Sequence, residues 1–547
     1  MLATASFMAD HLQAQGGAQA RAQATTPHII LETVGPDGWR TRLGPTNVAT
    51  MLASNQGRAI WRPRLAPVLE MLNIIADDDE GLAAARDRIL NYTGTIRIAA
   101  TLNSEDPSGS NAVAIVLEGD GQTDLNAVGA DIRALMERSI PGGYTELDVA
   151  GHKIKVRSLG SDAISAPMIT QQRVSLIAGP QEDMDRAMGL ATHLHNRPRT
   201  IDKPRPGSPA LRITFMIPEM LAATKTWNRD ELELNMLGAD GIAKVEIALR
   251  AAGPFVELDL DTTFHGKAKG VLAGLCGEEQ GVSQLSRLVP DQAAAWKVSR
   301  VNMQKIYGGI LDAIESPGGF YQAGECREDL NRFFGIDLSK DMLAHMTDEV
   351  LFVGDPRSSS FEQFEQSAWR VAYRLKDEAA FRESLSIFLK KVFLTSEETV
   401  QVDGVDLHNY DLFGLSLWIA VGNGVFSITA GADGQRSATA LLQAAKRLQV
   451  DAGTSPAPSF KDIGRYMPPG HNGIAQLDLF AALNAVSAIG IESLLGFAGI
   501  ETRVHMDPED VKQQQQRVRE LLDAHNLTVV RTATGFANNT LRWRLFW

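Results

Sequence analysis

Two histidines in the first half of the chain have a spacing that can bind metal. His193 and His195 stand in HLHNRPR, and on a β-strand residues two apart share a face, where two imidazoles could hold zinc. The residues before them have helical spacing, so the pair is predicted at a helix end, where residues two apart diverge. A histidine there is explained by the helix dipole, and no metal site is predicted.

An acidic run, ADDDE at Ala76–Glu80, could attract a divalent cation. It lacks the alternating oxygen ligands and the glycine of a calcium loop. Acidic residues also favour the first turn of a helix, because they complement its positive N-terminal end. The sequence therefore predicts a helix start here and no metal.

The chain has two cysteines, Cys276 and Cys326, and no CxxC pair, which excludes zinc ribbons and thioredoxin-type sites. Whether the two are bonded is left open. Cys326 precedes Arg327, whose charge could lower a thiol pKa, but no histidine is near in sequence. The segment Gly318–Asp329 is therefore predicted to be a loop without catalytic function.

Two predicted strands carry charge ladders of opposite sign. In VELDLD the acidic members are Glu257, Asp259 and Asp261, and in LRWRLFW the basic members are Arg542 and Arg544. The alternation predicts a solvated strand face. A second hypothesis is that the two hairpins present opposite charges to each other or to a partner chain.

The glycine-rich stretch Leu417–Gly434 could be mistaken for a phosphate-binding loop. Its spacing fits neither GxGxxG nor a P-loop, and a strand rather than a helix follows. Asn423-Gly424 between apolar runs instead predicts a two-residue hairpin turn. The sequence also lacks GxSxG and HExxH, so no catalytic residue and no cofactor is predicted.

The composition is that of a globular protein, with 44% hydrophobic and 22% charged residues among 547. The net charge of -13 and the lack of a Lys/Arg cluster exclude a nucleic-acid partner. The same acidic balance argues against an anionic membrane surface.

An apolar segment, Leu479–Ile500, has Glu492 as its only charge. Three glycines and the central glutamate argue against a membrane span, and no integral membrane segment is predicted. The segment is the candidate surface for a partner or an apolar ligand, through Leu479, Phe480, Ile489, Ile491, Leu494, Leu495, Phe497 and Ile500.

The strands and helices predict an α+β fold with largely antiparallel sheets, β-hairpins and packed helices. Phe381, Leu385, Phe388 and Leu389 form the apolar stripe of one helix. Another helix is predicted from Pro508, with Asp507 as its N-cap.

The chain also repeats itself. YTGTIRIA, VAGHKI and RVSLIAG have counterparts in MTDEVLFV, VDGVDL and VFSITAG, which lie 254, 253 and 252 residues further on (346 − 92, 402 − 149, 425 − 173). The common order and offset predict a duplication. The predicted organisation is a tail or degraded signal segment at 1–26, one α+β module at 27–276 and a second at 282–547.

The phrases GIDLSKDMLAHMTDEVLFVGDP and LFGLSLWIAVGNGVFSITAG resemble a family of large, exported bacterial proteins of unknown function built from duplicated α+β modules. The resemblance implies export to the periplasm or cell surface, with the cytoplasm as the alternative, and implies no catalytic residue. The duplication, the absence of catalytic motifs and the apolar segment Leu479–Ile500 lead us to expect a non-catalytic exported protein that binds a protein partner or an apolar ligand. The alternative is a hydrolase with its site in the cleft between the two modules.

Overall fold

The computed structural model describes residues 25–56, 91–102, 111–198, 208–223, 236–277, 281–315, 321–354, 369–412, 415–450, 470–478 and 508–547, together with a few isolated positions and apart from 122, 282, 291–292, 393–395, 397 and 432. The chain divides into two compact units. Unit one comprises Met1–Arg229 and Ala243–Leu260, and unit two comprises Asp230–Ile242 and Asp261–Trp547.

The elements up to the division within β11 are, in chain order, β1 (Ile29–Val34), α1 (Pro36–Leu43), α2 (Asn47–Ala53), β2 (Thr95–Ala100), β3 (Val113–Glu118), α3 (Leu125–Ser139), β4 (Thr145–Val149), β5 (His152–Leu159), β6 (Asp162–Ser165), β7 (Met168–Ile169), β8 (Arg173–Pro180), α4 (Met184–Asn196), β9 (Leu211–Met216), α5 (Ile217–Ala223), β10 (Ile242–Ala252) and β11 (Phe255–Phe264).

The elements that follow in unit two are α6 (Gly270–Leu275), β12 (Ala295–Arg300), α7 (Met303–Ile314), α8 (Glu325–Phe334), β13 (Met346–Gly354), β14 (Trp369–Leu375), α9 (Glu378–Val392), β15 (Glu398–Val402), β16 (Val405–Leu412), β17 (Leu415–Gly422), β18 (Val425–Ala430), α10 (Gly434–Val450), β19 (His471–Asp478), α11 (Pro508–Ala524), β20 (Val529–Ala537) and β21 (Thr540–Phe546).

The sheet of unit one is antiparallel, with neighbouring strands in the order β4, β5, β6, β8, β3, β2, β1, β9 and β10. Helix α4 covers one face, where Leu190 and Leu194 are fully buried. Helix α3 covers the opposite face, where Val128 packs near Leu117 and Val174. Period-two alternation along β2, β3 and β8 supplies apolar residues to both helices.

The sheet of unit two is also antiparallel, in the order β15, β16, β17, β18, β14, β13, β12, β19, β20 and β21. Helix α9 buries Phe381, Leu385 and Leu389 against one face. Helix α10 packs against β17 and β18 with Leu441 and Leu442 buried. Burying one such side chain stabilises the fold by about 1.5–3 kcal/mol.

These elements confirm the α+β class. The helix predicted from its apolar stripe is α9, with Phe388 only partly buried, and α11 begins at Pro508. The predicted hairpin turn joins β17 and β18, and Asn423 and Gly424 have φ values of 56° and 75°. A type I′ turn requires positive φ at both positions. The order of strands in a sheet does not show whether two parts of a chain arose by duplication. The duplication and the module boundaries therefore stay predictions.

Among the residues that the structure describes, no helix is both long enough and apolar enough to cross a membrane.

Candidate functional site

The acidic ladder of β11 is not a solvated face, so the first interpretation of its alternation is wrong. Glu257 and Asp259 are 3% and 1% exposed. The guanidinium of Arg250 on β10 lies 3.0 Å from the Glu257 carboxylate and also pairs with Asp259. A cation on a nearby strand thus compensates the burial of two carboxylates, which would otherwise be costly.

The last member of that ladder meets the basic ladder of β21. Arg542 Nε donates to Asp261 Oδ1 at 2.6 Å, and its Nη2 donates to Oδ2. Arg544, two residues further on, is buried. The structure therefore brings one acidic and one basic ladder residue together within unit two.

The two histidines lie at the C-terminal end of α4, as predicted. His195 Nε2 is 3.1 Å from Ser175 Oγ. Burial, then the charge of Arg173, lowers the pKa of His195 to about 4, so the ring is neutral at neutral pH. No group of His, Cys, Asp and Glu side chains that could hold a metal ion occurs in the described part of the chain.

Both cysteines are buried free thiols, which answers the question of a disulfide. Cys326 lies inside α8, so the loop predicted over Gly318–Asp329 is wrong from Glu325 onward. Burial raises the pKa of Cys326, and Glu315 and Asp329 act in the same direction against Arg327. The thiol is therefore not activated.

Two other sequence candidates fall outside the described residues. They are the acidic run Ala76–Glu80 and the apolar surface formed by Leu479, Phe480, Ile489, Ile491, Leu494, Leu495, Phe497 and Ile500. Both stay predictions, as does the hydrolase alternative.

A polar cavity of about 500 Å³ lies at one edge of the unit-two sheet. Because the strands are antiparallel, the end of β12, the start of β13 and the end of β14 meet at this edge, beside the first turn of α7. The lining residues are Cys276, Gly277, Arg300, Asn302, Lys305, Thr347, Asp348, Glu349, Arg374 and Lys376.

A shift of register in β13 shapes the acidic wall of this cavity. β13 pairs with β14 at Met346 and resumes pairing at Val350. The three residues between them, Thr347, Asp348 and Glu349, all line the cavity. A regular strand would point successive side chains to opposite faces, and an irregularity of this kind re-aims them.

Two arginines hold the acidic pair. Arg300 lies 2.8 Å from the Asp348 carboxylate and 3.3 Å from that of Glu349. Arg374 lies 3.2 Å from the other oxygen of Glu349. Thr347 Oγ1 donates to the Arg374 carbonyl and accepts from the Glu349 amide, both at 3.1 Å. This network orients guanidinium groups that have five N–H donors each.

The remaining polar groups of the cavity come from α7 and from the residue after β14. Asn302 is the N-cap of α7, and its Oδ1 accepts from the amide of Lys305 at 2.9 Å. Lys376 follows β14 and has an exposed side chain. Counting the lining side chains, four are basic and two acidic, so the cavity has a formal charge of +2 (4 − 2).

The one thiol of the cavity is chemically quiet. Burial raises the pKa of Cys276 to about 12, and Lys305 opposes the shift only in part. The nucleophilic form of cysteine is the thiolate, so Cys276 is protonated and unreactive at neutral pH. The cavity is therefore equipped to bind anions by charge and hydrogen bonding.

Sequence reasoning missed this cavity. Its charged residues come from four segments, and no motif joins them. One local indication existed in MTDEVLFV, where Asp348 and Glu349 stand side by side at the start of an apolar strand and break its alternation. The basic partners of this pair cannot be identified from spacing alone.

Comparisons with known proteins add little to this site. No family model and no curated protein matches the chain. Crystal form III of TP0453 aligns with a TM-score of 0.24 and 12% identity over 47% of this chain and 84% of that one. Form IV gives 0.24 and 14% over 45% and 81%, and form I gives 0.21 and 10% over 46% and 81%. These similarities are too slight to carry a conclusion about fold or function.

Proposed function

We propose that the protein is a non-catalytic, exported binding protein whose unit-two cavity takes a small ligand bearing a phosphate or carboxylate group. The observation that carries the proposal is the set of four basic side chains, Arg300, Lys305, Arg374 and Lys376, around one cavity of about 500 Å³. Export rests on the family resemblance of the sequence. The ligand is thus expected to be charged rather than apolar.

The helix that borders the cavity supports anion binding. α7 has 12 residues, and its N-cap Asn302 and first-turn Lys305 both line the cavity. The N-terminal end of a helix has a partial positive charge, which favours an anion.

The acidic pair does not cancel this preference. Asp348 and Glu349 contact Arg300 and Arg374, so their charges serve mainly to hold the two guanidinium groups in position. The contacts of Arg374 to Glu349 and Gln284 both use its Nη1, so a carboxylate or phosphate can accept from the other N–H donors of Arg374. Such charge-assisted bonds are about twice as strong as neutral ones.

Calorimetric titration of the full chain with inorganic phosphate and with citrate tests the proposal. Sodium chloride keeps the ionic strength constant, because salt screens exposed charges. We expect saturable binding, and we expect Lys376→Gln to weaken it about tenfold, since the loss of one charge-assisted contact costs about 1.4 kcal/mol.

The matched control is Lys446→Gln, which removes another largely exposed lysine of unit two that pairs with Asp403 outside the cavity. It should bind phosphate and citrate as the wild type does. The proposal fails if neither anion binds the wild type, or if the two variants weaken binding equally.

A further inference from the structure

The ends of two helices of unit two carry a cluster of three exposed and two partly buried apolar side chains. We call Phe333, Phe334, Ile387, Phe388 and Val392 the aromatic patch. Phe333 is 65% exposed, Ile387 41% and Val392 38%. Soluble proteins expose isolated apolar side chains routinely, but a contiguous group marks a contact surface.

Ring contacts link the three phenylalanines of the patch. The rings of Phe333 and Phe334 are 5.0 Å apart edge to face, and Phe334 and Phe388 are also 5.0 Å apart. Phe388 and Val392 stand four residues apart on α9 and therefore share a face. The patch thus joins the C-terminal turns of α8 and α9.

A glycine shapes the projecting end of α8. Gly335 follows Phe334 with a φ of 74° and ends the helix. A Cβ at this position would lie 3.5 Å from Lys391 Cε and 3.7 Å from Ile387 Cγ2, so the turn sits directly against α9. Phe333 lies two residues before this glycine, and its 65% exposure shows that it projects from the surface.

Two exposed lysines lie at the border of the patch although the whole chain is acidic. Lys390 and Lys391 are exposed in the last turn of α9, and no ion pair to either is found among the described residues. Arg332 and Lys340 are also exposed, each with an acidic partner three residues away. A second copy of the patch would bring the two lysine pairs together, so their repulsion argues against self-association here.

We infer that the aromatic patch attaches the protein peripherally to a lipid surface that contains acidic headgroups. Projecting Phe and Ile side chains can enter the boundary between headgroups and acyl chains, where Lys side chains reach the phosphates. The inference goes beyond the proposed ligand binding and concerns different residues.

The net charge of -13 does not oppose this attachment. At physiological ionic strength, charges more than about 8–10 Å from the lipid surface are largely screened. The lysines at the patch therefore determine the local attraction, about 1 kcal/mol for each that lies near an anionic surface. The net negative charge, which argued against an anionic membrane surface in the sequence analysis, describes the whole molecule and not the aromatic patch.

Flotation of the full chain with vesicles tests the inference. One set contains phosphatidylcholine alone, and the other includes roughly 30% phosphatidylglycerol. We expect the wild type to float with the mixed vesicles, and the double variant Phe333→Asp/Ile387→Asp to bind at least about tenfold more weakly.

Two further variants separate apolar insertion from charge. Leu52→Asp/Leu159→Asp places the same two charges at leucines of unit one that are 44% and 48% exposed, and it should float as the wild type does. Lys390→Gln/Lys391→Gln should lose the preference for phosphatidylglycerol. Failure of the wild type to float with either vesicle, or unchanged flotation of the Phe333/Ile387 variant, would overturn the inference and leave a protein partner as the occupant of the patch.

Discussion

Arg542 and Asp261, which are 281 positions apart in sequence, form a two-pronged ion pair with an Nε–Oδ1 distance of 2.6 Å. The pair joins the last residues of β11 to β21, and Phe264 also donates its amide to the Asn539 carbonyl at 2.9 Å. The Arg542 side chain is 30% exposed and that of Asp261 16%, so water screens this ion pair only in part. The pair links an early and a late segment of unit two.

Reversing the charge at this pair should destabilise the protein. We expect Arg542→Glu to lower the free energy of unfolding by about 1–2 kcal/mol, because it removes two charge-assisted hydrogen bonds and places like charges together. Urea denaturation measures the loss, and Asp261→Lys in the same chain should restore part of it. Arg186→Glu, at an exposed pair with Asp183, should cost less than about 0.5 kcal/mol. Equal losses for both arginines would contradict the prediction.

A second prediction concerns the fully buried Arg97 of unit one. Its Nε lies 2.9 Å from Glu32, and its Nη1 lies 3.5 Å from Glu118 and donates to the Leu194 carbonyl at 2.6 Å. Arg97→Leu leaves buried carboxylates without this cation. We expect it to lower the free energy of unfolding by about 3–5 kcal/mol, measured by urea denaturation.

The cross-strand neighbour of Arg97 provides the matched control. Glu32 pairs with Arg97 between β1 and β2, and the antiparallel strands β12 and β13 of unit two pair Val298 with Leu351. The apolar pair of unit two is fully buried. Glu32→Val/Arg97→Leu should therefore be more stable than Arg97→Leu alone. The single variant Glu32→Val completes the comparison. If the stability losses of Glu32→Val and Arg97→Leu simply add in the double variant, the role assigned to the uncompensated charge is wrong.

A third prediction concerns pH. Burial together with Arg173 and Arg97, opposed by Glu118, holds the pKa of His195 at about 4, below its ordinary value of 6.5. The unfolded chain therefore binds more protons between these values, and stability falls as pH drops from 6.5 toward 4. Because His195 is only partly buried, we expect the free energy of unfolding to fall by about 1–2 kcal/mol over this pH range.

Urea unfolding at pH values near 7 and near 5 measures this loss. His195→Gln should reduce the difference between the two pH values, because glutamine does not titrate. The same difference in the variant and the wild type would assign the pH dependence to other groups.

Two adjacent glycines of α7 should respond oppositely to alanine. A Cβ at Gly308 would meet no atom within 4 Å, whereas one at Gly309 would lie 2.6 Å from the backbone carbon of Gly270. Gly308→Ala should stabilise by about 0.5–1 kcal/mol through reduced freedom of the unfolded chain. Gly309→Ala should destabilise by about 1–3 kcal/mol, because α6 and α7 must separate. Thermal unfolding measures both, and a loss of stability at Gly308 would contradict the helix packing.

Several features were predictable because they depend on local geometry. Alternation along β11 and β21 and the 3.6-residue stripe of α9 identify strand and helix from a few neighbouring residues. The turn at Asn423-Gly424 was predictable because few residue types tolerate positive φ. These local features were sufficient to predict the α+β fold class.

The sequence by itself determined which segments become strands, helices and turns, since those preferences belong to short stretches of chain. Tertiary structure alone decided that Glu257 and Asp259 are buried and that Arg300 meets Asp348 and Glu349. Burial and charge pairing depend on which distant strands become neighbours. Residue spacing along the chain holds no information about that pairing, so the cavity emerged only from the folded sheet.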